Sequence, residues 1–73
     1  MEVGKLAVRK FGKRVREARQ AKGLSQMALA DLLGVTTTYI GRIERGERSP
    51  SLPTIARLAK TLETSVSELC REI

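Results

Sequence analysis

Residues 35–46 read VTTTYIGRIERG, and this stretch predicts a short helix with two unlike faces. Thr36 suits the N-cap, because a threonine oxygen accepts hydrogen bonds from unpaired first-turn amides, and Gly46 suits the helix end. At about 100° per residue, Ile40 and Ile43 point to one side, with Glu44 at its edge. The other side holds hydroxyls, guanidiniums and no acid, on Thr37, Thr38, Gly41, Arg42 and Arg45. Since a solvated helix face usually mixes charge signs, we expect this side to meet a negatively charged partner.

A second short helix is predicted directly before this one. Ser25 suits its N-cap, residues 26–33 carry its inward-facing leucines and alanine, and Gly34 suits its end. Only residues 34–36 then separate the two helices. Two short helices joined by a turn of about three residues that contains glycine are typical of a helix-turn-helix, here at about residues 25–45.

Apolar residues at helical spacing predict three further helices. The first runs to about residue 22 with a stripe formed by Val8, Phe11, Val15 and Ala18. Gly12 lies inside it and is expected to loosen its first turns. The fourth helix follows Ser51 and has a stripe formed by Ile55, Leu58, Ala59 and Leu62. Ser65 and Glu68 form a capping box that opens a short last helix.

These elements predict the fold class and its extent. The chain is expected to be all-α, with five helices in one compact domain over residues 1–73. Residues 1–7 are expected to form a flexible tail or an extra helical turn. The hydrophobic content is 41% and the aromatic content 3%, so the core must be small and aliphatic.

The charge balance points to a class of partner. The net charge is +6 and the sequence pI is about 10.3, which favours a polyanion: nucleic acid first and an acidic membrane surface second. The alternative is a basic domain with no such partner. RNA is disfavoured, because so few aromatic side chains cannot stack on many bases.

Several classes of site are disfavoured by composition. The chain has one cysteine, Cys70, and no histidine, so a zinc site built from these ligands is excluded and we expect no metal or cofactor. Without histidine, a phosphate loop or paired carboxylates, we expect no enzyme. Cys70 is expected to be a buried or half-buried thiol in a reducing cytosol, or alternatively a disulfide across a dimer. No apolar run is long enough to span a bilayer, so we expect a soluble, cytoplasmic protein with no membrane partner.

Three motifs carry a family resemblance. LSQ at 24–26, LGV at 33–35 and IERG at 43–46 occur in this order, and the chain resembles the Cro/phage-repressor-like (XRE-type) helix-turn-helix family over residues 10–72. The resemblance implies a lambda-repressor-like DNA-binding fold, whose third helix enters the major groove as part of a homodimer on a palindromic site. It also implies a partly buried ion pair between Arg19 and Glu44, the alternative being two surface charges.

The resemblance implies base-reading roles for Thr37, Thr38 and Arg42, with a phosphate contact as the alternative for Arg42. The remaining residues predicted to bind DNA are phosphate or flank positions: Gln26, Thr36, Tyr39, Arg45 and Arg48. Gln26 can also contact a base. The alternative for Thr36 is a role as N-cap only, and that for Tyr39 is packing in the core. The alternative for Arg45 and Arg48 is a solvated position with no contact to DNA.

Two surfaces keep more than one interpretation. The basic run from Lys5 to Arg16 can attract DNA, act as an arm in the minor groove, or form a solvated helix face. An aliphatic cluster is predicted to form the dimer interface, or else to close the core of its own chain. Its members are Leu52, Val66, Leu69, Cys70 and Ile73.

These features predict a sequence-specific transcriptional regulator. It would block polymerase or contact RNA polymerase, which is therefore a further candidate partner. Its size and the motifs around 38–45 resemble those of restriction-modification controller proteins, which regulate their own operons. The alternative is an antitoxin or adaptor whose main partner is another protein. We consider it less favoured, because the chain ends at Ile73, directly after the fifth helix.

Overall fold

The structure, a computed structural model, describes the backbone of residues 2–72 and the side chains of residues 4–72. Five helices follow one another: α1 at Glu2–Ala21, α2 at Gln26–Leu33, α3 at Thr37–Glu44, α4 at Leu52–Thr61 and α5 at Val66–Leu69. No strand occurs among these residues, so the predicted all-α fold is confirmed. None of these helices has the length and apolar character needed to cross a membrane.

The start of the chain differs from the expected flexible tail. Over the described residues 2–7, the backbone is helical and forms the first turns of α1. The alternative of an extra helical turn is therefore the better description, and it lengthens α1 to 20 residues. Gly4 does not interrupt the helix, although glycine lowers helix stability relative to alanine by about 1 kcal/mol.

Each of the four shorter helices begins at a hydroxyl N-cap. The side chains of Ser25, Thr36, Ser51 and Ser65 accept from the amide three residues later at 3.0, 3.0, 3.4 and 2.9 Å. These bonds satisfy first-turn donors that lack acceptors inside the helix, which explains where each helix begins. In the predicted capping box, the Ser65 hydroxyl accepts from the Glu68 amide as expected. The Glu68 carboxylate, expected to accept from the Ser65 amide, accepts instead from Arg71 Nε at 3.0 Å.

The core is aliphatic and is shared by all five helices. It consists of Phe11, Val15, Leu29, Ala30, Leu33, Ile40, Ile43, Leu58, Ala59, Leu62 and Leu69. The predicted stripes supply most of these residues, and Ala18 and Ile55 pack partly buried against them. Because α3 lies against both α1 and α2, its two isoleucines anchor it while its other side stays outside.

Gly12 has a packing role that its position in the helix did not reveal. A Cβ atom placed on it would lie 2.9 Å from the carbonyl oxygen of Glu44 and closer still to that of Ile43. No side chain fits there, so glycine allows the backbone of α1 to approach the end of α3 closely. The expected loosening of the first turns is thus offset by a close contact between two helices.

Candidate nucleic-acid interface

The outer side of α3 presents three polar side chains near its beginning and middle. Thr37, Thr38 and Arg42 are exposed, whereas Ile40 and Ile43 on the opposite side are fully buried. Among the described residues, Arg42 takes part in no salt bridge. The arrangement presents two hydroxyls, two methyl groups and one unpaired guanidinium to a partner. These groups match the hydrogen-bond acceptors and thymine methyl groups of a DNA major groove.

Gly41 does not belong to this exposed face, contrary to the sequence-based expectation. It is buried, because neighbouring side chains cover it. A Cβ atom placed on Gly41 would lie 3.0 Å from Arg45 Nη1 and 3.8 Å from Gln26 Oε1. The lack of a side chain at this position lets the guanidinium of Arg45 lie across α3. Helical periodicity assigns a direction to the residue but does not reveal that a neighbour covers it.

The orientation of α3 is held by a buried ion pair with α1. Arg19 Nε donates to Glu44 Oε2 at 2.6 Å and Arg19 Nη2 donates to Oε1 at 3.0 Å. The Glu44 side chain is 3% exposed, and Arg19 also donates to the Leu24 carbonyl at 2.8 Å. The ion pair implied by the family resemblance is present, and its two parallel bonds restrict both the distance and the angle between the helices.

Gln26 joins the same network from the start of α2. Its Nε2 donates to Glu44 Oε1 at 3.0 Å, which holds the half-buried side chain against α3. The N-cap hydroxyl of Ser25 already accepts from the Ala28 amide. The backbone amides of Gln26 and Met27 come before this capped amide and lack an intrahelical acceptor. Amides of this kind at the start of a helix can donate to an anion such as a phosphate oxygen.

Arg45 is paired with an acidic neighbour, Glu47, in the turn after α3. Its Nε and Nη2 donate to the two Glu47 oxygens at 3.1 and 3.2 Å. The hydrogen bond from Arg45 lowers the pKa of Glu47, and the same bond raises the pKa of Arg45. Both groups are exposed, so Glu47 competes with any phosphate for this guanidinium. The signal available in the sequence was an acid two residues after the arginine.

Tyr39 and Arg48 lie together at the flank of α3. The guanidinium carbon of Arg48 is 5.5 Å from the centre of the Tyr39 ring, a cation–π distance. The ring is half-buried and packs against the core, and contact of its hydroxyl with the DNA backbone stays a prediction. It also positions Arg48 in the loop after α3. Thr36 acts as the N-cap of α3 and remains exposed.

The predicted dimer residues divide into different environments. Leu52 and Val66 are 72% and 38% exposed and remain available for a partner. Leu69 is 1% exposed and belongs to the core, so its assignment to a dimer interface is wrong. Its short helix packs against α1 and α4, which turns the side chain inward. Cys70 is a half-buried free thiol that packs against the core, and Ile73 lies outside the described residues.

Comparison with known proteins gives the same family as the motifs. A family model described as Helix-turn-helix matches residues 15–69. Control protein C.SmaI of Serratia marcescens is 49% identical over 55 residues, 75% of this chain and 66% of that protein. The crystal structure of the restriction-modification controller protein C.AhdI from Aeromonas hydrophila matches with a TM-score of 0.80 and 50% identity, over 85% of this chain and 94% of that chain.

The fold also occurs inside a larger enzyme. Hydroxypropylphosphonic acid epoxidase from S. wedmorenis matches 90% of this chain with a TM-score of 0.85 and 31% identity, but only 35% of the epoxidase is covered. Across three curated relatives, the matched part likewise covers between 33% and 66% of the relative's length. In these four proteins the similarity therefore covers only a part of the relative. Since the family model spans more than half of the chain, this protein belongs to the XRE-type helix-turn-helix family HTH_3.

Proposed function

We propose that this protein is a sequence-specific DNA-binding transcriptional regulator that places α3 in the major groove. The observation that carries the proposal is the acid-free outer side of α3, formed by Thr37, Thr38 and Arg42. This side is held in place by the buried Arg19–Glu44 pair. A rigid helix with exposed donors and methyl groups matches what major-groove recognition requires.

The contacts sort into base readout and phosphate binding. Thr37 and Thr38 offer a hydroxyl to base edges and a methyl to thymine, and Arg42 can donate two bonds to guanine O6 and N7. A good bidentate pair of this kind contributes about 1–3 kcal/mol of discrimination. The amides at the start of α2, together with Arg45 and Arg48, bind phosphates and set the register of α3 on the duplex.

We propose that the protein acts as a homodimer on a palindromic site. One recognition helix reads only a few base pairs, so two copies one helical turn apart, about 34–36 Å, supply the missing specificity. Leu52 and Val66 are exposed aliphatic residues on α4 and α5. A symmetric contact through these helices would remove both side chains from water.

Similarity to two controller proteins supports a narrower assignment. C.SmaI is named a control protein and C.AhdI a restriction-modification controller protein, and each is about half identical to this chain over the matched residues. We therefore propose an autoregulatory controller of a restriction-modification operon, located in the cytoplasm and working without a cofactor. It would block RNA polymerase at the promoter or recruit it by direct contact. The chain is proposed to be no enzyme, because its likeness to the epoxidase is confined to about a third of that protein.

Selection from random duplex DNA tests the proposal. Several rounds of binding and sequencing should enrich a palindrome whose half-sites are separated by about 10–10.5 base pairs. Enrichment of a single half-site would support base readout but contradict the homodimer. Weak binding with no preferred sequence and a strong dependence on salt would contradict the regulator and favour a module that binds another protein.

A further inference from the structure

The basic residues on the α5 side of α1, and Lys22 directly after this helix, have acceptors within the protein. Arg14 Nη2 lies 2.9 Å from Glu72 Oε1, and Lys22 Nζ lies 2.6 Å from Glu63 Oε1. Lys10 Nζ donates to the backbone oxygen of Glu72 at 3.2 Å. The positive charge on this side is therefore largely met by the residues around α5 and the turn before it.

The other side of α1 carries a basic arc that is not balanced in this way. It consists of Lys5, Arg9, Lys13 and Arg16, which fall within about 80° of one another at 100° per residue. All four are exposed, and among side chains 4–72 none of them forms a salt bridge. Between residues 5 and 20 the arc contains no acid.

One end of the basic arc adjoins the phosphate positions described above. Arg16 and Gln20 line a surface recess together with Gln26 and Arg45. The recess therefore connects α1 with the beginning of α2 and with the end of α3. A DNA strand held by the amides at the start of α2 would pass close to Arg16.

The middle and far end of the basic arc lie beside the turn that follows α3. A Cβ atom placed on Gly46 would come 2.9 Å from the Cα of Arg9, so α1 and this turn are in close backbone contact. Lys5 borders a recess that also includes Glu47 and Ser49. The basic arc thus runs alongside the candidate interface for several helical turns.

We propose that Lys5, Arg9, Lys13 and Arg16 form a second phosphate-binding surface that follows the DNA backbone beside the groove occupied by α3. The proposal rests on the proposed DNA-binding function and deepens it by adding a helix outside the helix-turn-helix. Successive arc residues are spaced about 4.5–6 Å along the helix axis, so several can contact one strand. Such contacts increase affinity and salt dependence and carry no base specificity.

A matched pair of double variants tests the basic arc. Arg9→Gln/Lys13→Gln removes two arc charges, and Lys10→Gln/Lys22→Gln removes two charges outside the arc, one on the α5 side of α1 and one directly after that helix. Both variants have a net charge of +6 − 2 = +4. Glutamine keeps the methylene that Arg9 packs against Gly46, and thermal melting by circular dichroism verifies the fold of each variant.

The measurement is the slope of log affinity against log salt concentration on a duplex of arbitrary sequence, because phosphate contacts require no operator. We expect the arc variant to reduce the slope by about 2, roughly one for each lost phosphate contact, and the control variant to change it by less than 1. Equal reductions in both variants would overturn the basic arc in favour of a general charge effect. An unchanged slope in the arc variant would also overturn it.

Two further readouts test the phosphate-binding surface separately from the proposed regulator function and from membrane binding. On a duplex carrying the selected site, the arc variant should retain the preference of the wild type over the arbitrary duplex. If the wild type shows no such preference while the slopes still differ, the proposed regulator fails and the phosphate surface stands. If the arc variant loses binding to anionic vesicles and keeps its DNA slope, the surface binds membranes and the proposal is overturned.

Discussion

At the scale of single residues, the carboxylate of Glu44 connects three elements. It accepts two bonds from Arg19 on α1 and one from Gln26 at the start of α2, while itself belonging to α3. A buried pair of this kind contributes little net stability relative to apolar residues, but removing one partner leaves an uncompensated buried charge. The pair therefore acts mainly on the position of α3.

We predict that Glu44→Ala lowers the free energy of unfolding by about 3–5 kcal/mol, because Arg19 remains buried without its partner. Urea denaturation measures this loss. Glu17→Ala is the control, since Glu17 is exposed and lies 3.7 Å from Arg14, and it should cost less than about 1 kcal/mol. Similar losses in the two variants would mean that the buried pair does not hold α3.

Glu47 is predicted to weaken DNA binding by occupying Arg45. Glu47→Gln should increase DNA affinity severalfold and steepen the salt slope by about 1, because one more guanidinium reaches phosphate. Affinity measured by fluorescence anisotropy at several salt concentrations checks this result. The gain should shrink when Arg45→Gln is present as well, since the effect acts through that side chain. An equal gain with and without Arg45 would show simple repulsion of phosphate by Glu47.

This pair also has a defined dependence on pH. The hydrogen bond from Arg45 lowers the pKa of Glu47, so the folded state favours the charged carboxylate. Its small contribution to stability is present above the unfolded-state pKa and is lost as the pH falls through the lowered folded-state pKa. The competition for Arg45 is therefore fully present at neutral pH.

At the scale of elements, the contact between α1 and α3 depends on two backbones lying close together. Gly12→Ala should destabilise the fold by about 1–3 kcal/mol, because the added methyl group meets the carbonyl oxygens at the end of α3. It should also weaken DNA binding, since α3 must shift to make room. Chemical denaturation and DNA titration measure the two effects.

Gly4 provides the matched control on the same helix. A Cβ atom there would meet nothing within 4 Å, so Gly4→Ala should stabilise the protein by about 0.5–1 kcal/mol through helix propensity. If Gly12→Ala proved equally stabilising, the close approach of α1 to α3 would be contradicted.

Helix starts and inward faces could be predicted from the sequence, whereas contacts between elements could not. The four hydroxyl caps and the apolar stripes act locally, so residues within three or four positions predict helix starts and inward faces. The roles of Gly12, Gly41 and Leu69 depend on residues of another element or on a neighbouring side chain. Helical periodicity places Gly41 on the outward side of α3, yet the Arg45 side chain covers it. A four-residue helix such as α5 is too short to define an inward stripe.

At the scale of the whole molecule, the exposed aliphatic residues of α4 and α5 should govern self-association. Leu52→Gln/Val66→Gln should weaken a homodimer without unfolding the monomer, because both side chains are exposed. Sedimentation over a range of protein concentrations measures the shift. Leu69→Ala should instead cost about 2–5 kcal/mol of stability, since this residue lies in the core. Unchanged association in the double variant would place the dimer interface elsewhere.

The charges divide the molecule into surfaces with different roles. Carboxylates around α5 form ion pairs with basic side chains on one side of α1, while the outer face of α3 and the basic arc remain positively charged. This distribution, rather than the net charge alone, favours a duplex bound on one side of the molecule and a partner copy on another. Base readout by α3 is the part of this account that distinguishes a regulator from a general DNA-binding domain.

The most direct test compares wild type with Arg42→Ala on the selected site and on its single-base variants, using Arg48→Ala as the control. We predict that Arg42→Ala loses about 1–3 kcal/mol of discrimination at one base pair of each half-site and retains its preferences elsewhere. Arg48→Ala should weaken binding to all these duplexes about equally, as expected for a phosphate contact. If Arg42→Ala also weakened all of them equally, Arg42 would bind phosphate, and base readout by the exposed face of α3 would be contradicted.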